Sequence, residues 1–406
     1  MERKHGTVAV TPGLALLFSV ACGLAVANVY YAQPLLDAMA QAFGIAPARV
    51  GIVVTLSQVG YGLGLLLLVP LGDLVDRRRL IVAQSLLSVG ALVAVALAPT
   101  AAVLLAGMAA IGLFAVVTQV LVAYAAVLTP PGERGRVVGT VTGGIVLGIL
   151  GARALAGVLA DVAGWRAIYV ASALLTLVVA ALLWRVLPAR EASRTTLRYP
   201  QLIASVFALF AEERILRVRA TIALLIFAAA MVLWTPMVLP LSAPPWSLSH
   251  TGVGLFGLAG AVGALAAARA GHWADRGHER LVSGASLAIM LGSWLPIALL
   301  PSSLAALTLG VVTLDLGLQA AHVANQSLIY AVRPDAHSRL TAAYMLCYSI
   351  GSAVGSIAST LVYARYGWLG VCTLGAGINA VALAFWWSTR DVTAMADYRE
   401  PVCPAD

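Results

Sequence analysis

The chain has 406 residues, of which 61% are apolar and 10% charged, whereas soluble domains are roughly half apolar and a quarter charged. Its 25 basic and 17 acidic residues give a formal net charge of +8. So little polar surface excludes a soluble nucleic-acid-binding protein and predicts a helical membrane protein. The single lysine, Lys4, follows no glycine-rich loop, which excludes a P-loop nucleotide site.

Long apolar runs follow one another along the chain. Because a helix rises 1.5 Å per residue, about 20 apolar residues cross the roughly 30 Å hydrocarbon core of a bilayer. In chain order, the predicted spans are 12–36, 50–70, 80–98, 101–127, 137–160, 167–187, 217–240, 251–273, 281–299, 303–330, 340–363 and 367–389. The prediction is therefore an all-α membrane protein with twelve transmembrane helices.

Basic residues are concentrated in alternate connections, and Lys and Arg collect on the cytoplasmic side of a membrane. The rich set holds Arg3, Lys4, Arg77 to Arg79, Arg134, Arg136, the arginines from Arg185 to Arg219, Arg276, Arg280, Arg333 and Arg339. The opposite set holds Arg49, Arg166 and Arg365. Both termini are therefore predicted to be cytoplasmic, with the protein spanning the lipid bilayer of the cell's inner membrane.

A short loop sequence occurs twice. Gly72-Asp73-Leu74-Val75-Asp76-Arg77 follows the second span, and Gly271-His272-Trp273-Ala274-Asp275-Arg276 follows the eighth, 199 residues later. Repetition at this spacing predicts two six-helix halves in parallel orientation. The predicted organisation is an N-terminal bundle over 1–187, a cytoplasmic linker with an interfacial helix over 188–216, a C-terminal bundle over 217–389 and a cytoplasmic tail over 390–406.

Two halves of six spans, a long central loop and the paired G-x-x-x-D-R motif resemble the major facilitator superfamily. Residues 28–36 and 314–322 resemble its bacterial efflux-type members, the drug:proton antiporters and sugar-efflux permeases. The resemblance implies a cavity lined by helices 1, 4, 7 and 10 and transport by alternating access.

The direction of transport stays open at this point. Antiporters of the superfamily often carry Gly-Pro in span 5, where this chain has Ala152-Arg153. Proton-coupled efflux, proton- or ion-coupled uptake, and a sensor of the same fold that transports nothing are the alternatives. An enzyme is not expected, since neither a G-x-S-x-G nor an H-E-x-x-H sequence occurs.

Two charges lie deep inside predicted spans, away from the span ends: Arg153 in span 5 and Asp315 in span 10. Each costs about 2.5–3.5 kcal/mol to insert, so both are candidates for function. Gln319, His322 and Gln326 follow Asp315 on one helical face. Asp315 is predicted to be the proton-responsive carboxylate, paired with Arg153. The alternative is a pair that only holds helices together, and His322 is either a proton relay or simply hydrogen-bonded.

Amide and aromatic side chains occur at matching depths in several spans, which suits an uncharged or amphipathic small-molecule solute. The predicted cavity residues are Asn28, Tyr31, Gln33, Gln119, Trp234, Gln319, Gln326, Tyr344 and Tyr348. The proton gradient is the expected energy source. No cofactor, metal site or nucleic-acid partner is expected, and the protein is expected to be monomeric.

The repeated loops are predicted to gate transport, either as a cytoplasmic latch between the halves or as solvated turns that only obey the charge rule. The residues concerned are Gly72, Asp73, Asp76, Arg77, Gly271, Asp275 and Arg276. Their glycines permit tight turns, and their aspartates can accept hydrogen bonds at a helix N-terminus or from arginines.

Overall fold

The computed structural model describes residues 11–130, 133–188, 199–260, 278–332 and 337–390. These ranges are almost entirely helical and contain no β-strand. Within them, ten helical segments are long and apolar enough to cross a membrane. The predicted all-α membrane fold is confirmed.

Among the described residues, nine helices belong to the first part of the chain. They are α1 (Pro12–Tyr30), α2 (Leu36–Phe43), α3 (Ile52–Leu67), α4 (Arg77–Ala96), α5 (Ala101–Ala115), α6 (Val117–Leu128), α7 (Arg134–Ala163), α8 (Arg166–Val186) and the linker helix α9 (Tyr199–Glu212). The linker helix buries Leu202, Val206 and Leu209, which recur at the spacing of one helical face.

Seven further helices follow the linker in the part of the chain that the structure describes. They are α10 (Arg214–Trp234), α11 (Val238–Ser242), α12 (250–260), α13 (Glu279–Gly292), α14 (Trp294–Ala298), α15 (Leu304–Val332) and α16 (His337–Thr389). Within α16, Gly367 has φ 63° and ψ −160°, a break that glycine allows. This break separates the last two predicted spans. The eighth predicted span begins in α12 and continues outside the described residues, so the count of twelve stays a prediction.

The first span of each half is interrupted at a proline, whose missing N–H and bulky ring disrupt helical hydrogen bonding. Helix α1 ends at Tyr30 and is followed by a short 3-10 turn, Gln33–Leu35, that contains Pro34. Helix α10 ends at Trp234, and Pro236 precedes α11. The two prolines are 202 residues apart, close to the spacing of the repeated loops.

The chain forms two compact units, and each includes a short segment from the other half of the sequence. Unit 1 comprises Met1–Gly44, Leu56–Pro200 and Leu248–Gly257; unit 2 comprises Ile45–Thr55, Gln201–Ser247 and Leu258–Asp406. In unit 1, α1 packs against α7 and α4 against α8. In unit 2, α10 packs against α16 and α13 against α15.

Close helix packing in both units depends on small residues. In unit 1, a Cβ atom on Gly148 of α7 would collide with the backbone of Gly23 in α1. In unit 2, a Cβ atom on Gly351 of α16 would collide with the backbone of Leu224 in α10. Such glycines let neighbouring helices approach until their backbones touch. Inside a bilayer the hydrophobic effect does not drive helices together, so they associate through close packing of this kind.

Candidate functional site

Unit 1 holds a buried cation. The Arg153 side chain lies on α7 with 5% of its residue surface exposed. Its Nε donates a 2.6 Å hydrogen bond to Oε1 of Gln33, and its guanidinium carbon lies 5.1 Å from the centroid of the Tyr30 ring. The break after α1 brings Gln33 to α7, since the 3-10 turn packs against that helix. Because an arginine stays protonated in proteins, this site is permanently positive.

Helix α12 passes directly over Arg153 within unit 1. A Cβ atom on Gly254 would strike the backbone carbonyl of Arg153, and one on Gly257 would lie 2.9 Å from the Arg153 Cβ. Glycine at these two positions therefore lets α12 approach the buried arginine. The spacing of three residues places both glycines on one face of α12.

Unit 2 holds a buried carboxyl group. Asp315 lies on α15 and is 8% exposed, and Nε1 of Trp234 donates to its Oδ1 at 3.3 Å. Trp234 is the last residue of α10, immediately before the proline break. A Cβ atom on Gly260 of α12 would overlap Oδ2 of Asp315. An indole N–H can donate to a carboxylate or to the carbonyl oxygen of a protonated carboxyl, so this partner suits both protonation states.

An aromatic cluster lies further along α15 in unit 2. Nδ1 of His322 is 2.9 Å from the Tyr344 hydroxyl, and the Phe227 ring stands edge-on to His322 with centroids 5.3 Å apart. Phe227 also contacts Tyr348, with ring centroids 4.1 Å apart. Helices α10, α15 and α16 thus bring together three residues predicted from the sequence, His322, Tyr344 and Tyr348. The predicted Gln319 and Gln326 are half-buried on α15.

Unit 2 also holds a buried arginine, Arg219, which the pattern of basic residues along the sequence places in the cytoplasmic set. Its side chain is 1% exposed, and Nη1 lies 3.2 Å from the Ser283 hydroxyl and 3.4 Å from Oδ1 of Asn325. The available signal was its position inside the predicted span 217–240. Because other basic residues lie nearby along the chain, the positive-inside rule was enough to account for Arg219, and its burial was not inferred.

Other predicted cavity residues in unit 1 are bound by neighbouring helices. Oδ1 of Asn28 accepts a 2.5 Å hydrogen bond from Ser172 of α8, and Nε2 of Gln119 donates to the Tyr61 hydroxyl of α3 at 3.2 Å. The Tyr31 ring packs edge-on against Tyr169, 6.3 Å between centroids. Gln33, another predicted cavity residue of unit 1, accepts the hydrogen bond from Arg153 described above.

The first of the repeated loops forms a compact turn at the start of α4. Oδ1 of Asp76 accepts the N–H of Arg78 at 3.0 Å and so caps the helix. Nε of Arg77 donates to the carbonyl oxygen of Gly72 at 2.9 Å. The Asp73 side chain lies outside the described residues, as does the second loop with Gly271, Asp275 and Arg276. The gating role of both loops stays a prediction, as does the pairing of Arg153 with Asp315.

Long apolar helices, paired proline breaks and a buried charge in each unit define a multi-pass membrane protein of the transporter class. The sequence profile of the Major Facilitator Superfamily matches residues 18–311 and 246–400. The chain belongs to this superfamily, as its loop motifs predicted. It is a transporter and not an enzyme.

The chain is similar to known transport proteins over nearly its whole length. The uncharacterized transporter YgaY of Escherichia coli O157:H7 is 47% identical over 93% of this chain and 96% of its own length. The inner membrane transport protein YnfM of Escherichia coli K12 is 27% identical over 94% of this chain and 91% of its own. A bacterial homolog to the human lysosomal transporter Spinster has the same fold, with a TM-score of 0.77 at 15% identity over 96% of this chain and 98% of that one.

Proposed function

We propose that the chain is a proton-coupled secondary transporter of the inner membrane that exports a small organic solute by alternating access. The observation that carries this proposal is the buried Asp315 carboxyl, within hydrogen-bonding distance of the Trp234 indole. A carboxylate inside a membrane-spanning helix costs about 2.5–3.5 kcal/mol, so a purely apolar contact would hold the helices together at less cost. A group that takes up and releases a proton gives that cost a function.

The proposed coupling step is a protonation of Asp315. When its carboxylate takes up a proton from the outer solution, a negative charge disappears from the transport path, whereas the positive charge of Arg153 is unchanged. The two residues together then pass from neutral to positive. Solute that binds best to the neutral arrangement is released, and loss of the proton to the cytoplasm restores the binding form. Proton and solute thus compete, as an antiporter requires.

The solute is proposed to be uncharged or amphipathic. The residues proposed to contact it present amide groups and aromatic faces, among them Gln33, Trp234, Tyr344 and Tyr348. Aromatic rings bury apolar surface, and amides provide a few oriented hydrogen bonds, the combination typical of pockets for small organic molecules.

The proposed orientation places both termini and the repeated loops in the cytoplasm. It is supported by the alternation of basic residues along the chain. The name of the relative YnfM, an inner membrane transport protein, supports the proposed membrane. In this orientation, the turn made by Gly72, Asp76 and Arg77 is on the cytoplasmic side, where a latch favours the outward-facing state.

Flux in proteoliposomes tests the proposal. Vesicles are loaded with a panel of labelled drugs, sugars and amino acids and diluted into buffer of equal or lower pH. An exporter that exchanges protons releases its solute faster when the outside is acidic. In matched empty vesicles with the labelled solute supplied outside, a symporter accumulates it under the same gradient. Accumulation would replace export by the uptake alternative. Gradient-independent behaviour of every solute would contradict both and favour a sensor.

A further inference from the structure

A second polar cluster lies in unit 1, one to two helical turns along the chain from Gln33, Arg153 and Gly254. Nδ1 of His250 is 3.0 Å from Oδ1 of Asp161, and Nε2 of His250 is 3.3 Å from Oδ1 of Asp37. Asp37 is in the first turn of α2, Asp161 is near the end of α7, and His250 begins α12. One imidazole ring therefore contacts a carboxylate at each of its two nitrogens.

The backbone of α12 is tied to the same carboxylate. Oδ1 of Asp161 accepts the N–H of His250 at 3.1 Å, and Oδ2 accepts the N–H of Thr251 at 2.8 Å. These are N–H groups that the helix itself leaves without partners, and an anion at this end is favoured by the helix dipole. Gly157 of α7 permits the approach, since a Cβ atom there would collide with the carbonyl group of His250.

The contacts at both ring nitrogens depend on a proton. A neutral imidazole has one N–H donor and one nitrogen that accepts, so it can donate to only one of two carboxylates. The imidazolium donates at both nitrogens. The hydrogen bond to Asp37 first, and the bond and charge of Asp161 after it, raise the pKa of His250. Asp37 and Asp161 are the charged groups that face His250 within the described part of the chain.

Solvent reaches this cluster. The side chains of His250, Asp37 and Asp161 are 26%, 16% and 28% exposed. In the proposed orientation all three lie at the outer ends of their spans. Protons of the outer solution can therefore load His250 directly, without passing the buried Asp315.

We propose that His250, Asp37 and Asp161 form an external proton-binding site that latches the outer side of the transporter shut. The proposal rests on the proposed alternating access and orientation. By sequence, α12 belongs to the second half of the chain and α2 and α7 to the first half, although unit 1 includes the start of α12. Opening towards the outside separates the two halves and so breaks the latch.

The sign of the pH effect follows from the raised pKa of the latched His250. The latched state binds the proton more tightly than the open state, so low pH favours the latch. Its stabilisation is complete below the pKa of the open state and is lost as the pH rises through the pKa of the latched state. An outer proton thus closes the outer side, the step that must follow solute release in proton-coupled export.

Amide hydrogen exchange of the purified full-length protein in lipid nanodiscs tests the latch. The peptide that covers 248–257 reports the N–H groups of His250 and Thr251. After correction for intrinsic exchange, these amides in the unaltered protein should be more protected at pH 5.5 than at pH 8. A difference of roughly two- to tenfold is expected from two partly exposed ion pairs.

Two variants and a control separate the latch from general effects of pH. His250→Gln and Asp37→Asn should abolish the pH dependence of this peptide, whereas His278→Gln removes an exposed histidine elsewhere and should leave it unchanged. Unaltered exchange in α10 shows that a variant is folded. Equal protection of the unaltered protein at both pH values, or pH dependence that survives His250→Gln, would overturn the proposal.

The experiment does not depend on the proposed function, because no solute is needed. If the vesicle assays find no proton-driven flux but the exchange difference is present, the proposed function is wrong and the proton-binding site stands. If flux is proton-driven but the exchange difference is absent, the coupling stands and the latch is wrong.

Discussion

The buried charges of Arg153 and Asp315 are held in different ways. In unit 1, the Arg153 guanidinium makes a 2.6 Å hydrogen bond to Gln33 and stands over the Tyr30 ring. In unit 2, the Asp315 carboxyl is 3.3 Å from its indole donor, Trp234. Short hydrogen bonds to an ionised group are stronger than long ones. We propose that the arginine is the fixed charge and that the carboxyl is the group that changes its protonation.

Chemistry strengthens this contrast. Arginine does not lose its proton in proteins, whereas a carboxyl group titrates and keeps an acceptor oxygen for an N–H donor in both forms. Each charge lies beside the broken first helix of its own half, through Gln33 and Trp234. Each half therefore has a charge beside the break in its first helix, although the two charges come from non-equivalent spans, the fifth span of the first half and the fourth span of the second.

The largest effect is expected from removing the fixed charge. Arg153→Leu should lower solute flux by roughly 10- to 100-fold, since a hydrogen bond to a charged group contributes about 1.5–3 kcal/mol. Arg153→Lys keeps the charge but loses the planar donor geometry, so it should retain more flux than the leucine variant. Flux in vesicles, normalised to inserted protein, measures both. Equal flux in the lysine and leucine variants would show that the charge does not matter.

The next largest effect is expected from enlarging the glycines of α12 that contact the Arg153 and Asp315 side chains. Gly260→Ala places a Cβ atom on the Asp315 carboxyl, and Gly257→Ala places one against the Arg153 side chain. Overpacking of this kind costs about 1–3 kcal/mol of folding free energy, which thermal unfolding in detergent detects. Only the first should also change the pH dependence of flux.

Gly143→Ala is the matched control for these two variants. Apart from its chain neighbours and the adjacent backbone of α7 itself, nothing lies within 4 Å of a Cβ atom built on Gly143. Alanine there should be neutral or stabilise the helix by up to about 1 kcal/mol. If Gly143→Ala lowers the unfolding temperature as much as Gly260→Ala, contact with the carboxyl is not the cause.

The smallest effects should come from the hydrogen-bond partners. Trp234→Phe removes the donor that stabilises the carboxylate, so half-maximal proton-driven flux should move to higher pH, by roughly two- to tenfold in apparent proton affinity. Gln33→Leu should lower the maximal flux and leave that pH unchanged, because Arg153 stays charged. A pH shift in the glutamine variant, with none in the tryptophan variant, would reverse the assignment of fixed and titrating groups.

Much of the fold was predictable because a transmembrane helix can be recognised in a sequence from the length of its apolar run alone. The superfamily followed from the loop motifs, and Arg153 and Asp315 followed from being charged residues deep inside predicted spans. A helix break at Pro34 could be expected from the proline itself. Its consequence, the contact of Gln33 with Arg153, could not be expected from the sequence. That contact joins residues 120 positions apart, and no periodic pattern in the sequence relates the two positions.

Two sites escaped the sequence analysis for opposite reasons. Arg219 is near a basic linker, so its charge already had an explanation, and only helix packing reveals that it is buried. His250, Asp37 and Asp161 come from three separate connections, where polar residues are ordinary. No spacing rule brings such residues together, because their contact depends on how three helix ends meet.

The central claim is that Asp315 is the group that exchanges the proton. Its most direct test is proton release on solute binding, measured with a pH-sensitive dye in weakly buffered detergent solution, using the solute that the vesicle panel identifies. The unaltered protein and the control Glu133→Gln, which removes an exposed carboxylate, should release protons when solute is added. Asp315→Asn is uncharged like the protonated form, so it should bind the solute more weakly and, at solute concentrations high enough to saturate it, release no protons. Release of the same number of protons by Asp315→Asn would contradict the account.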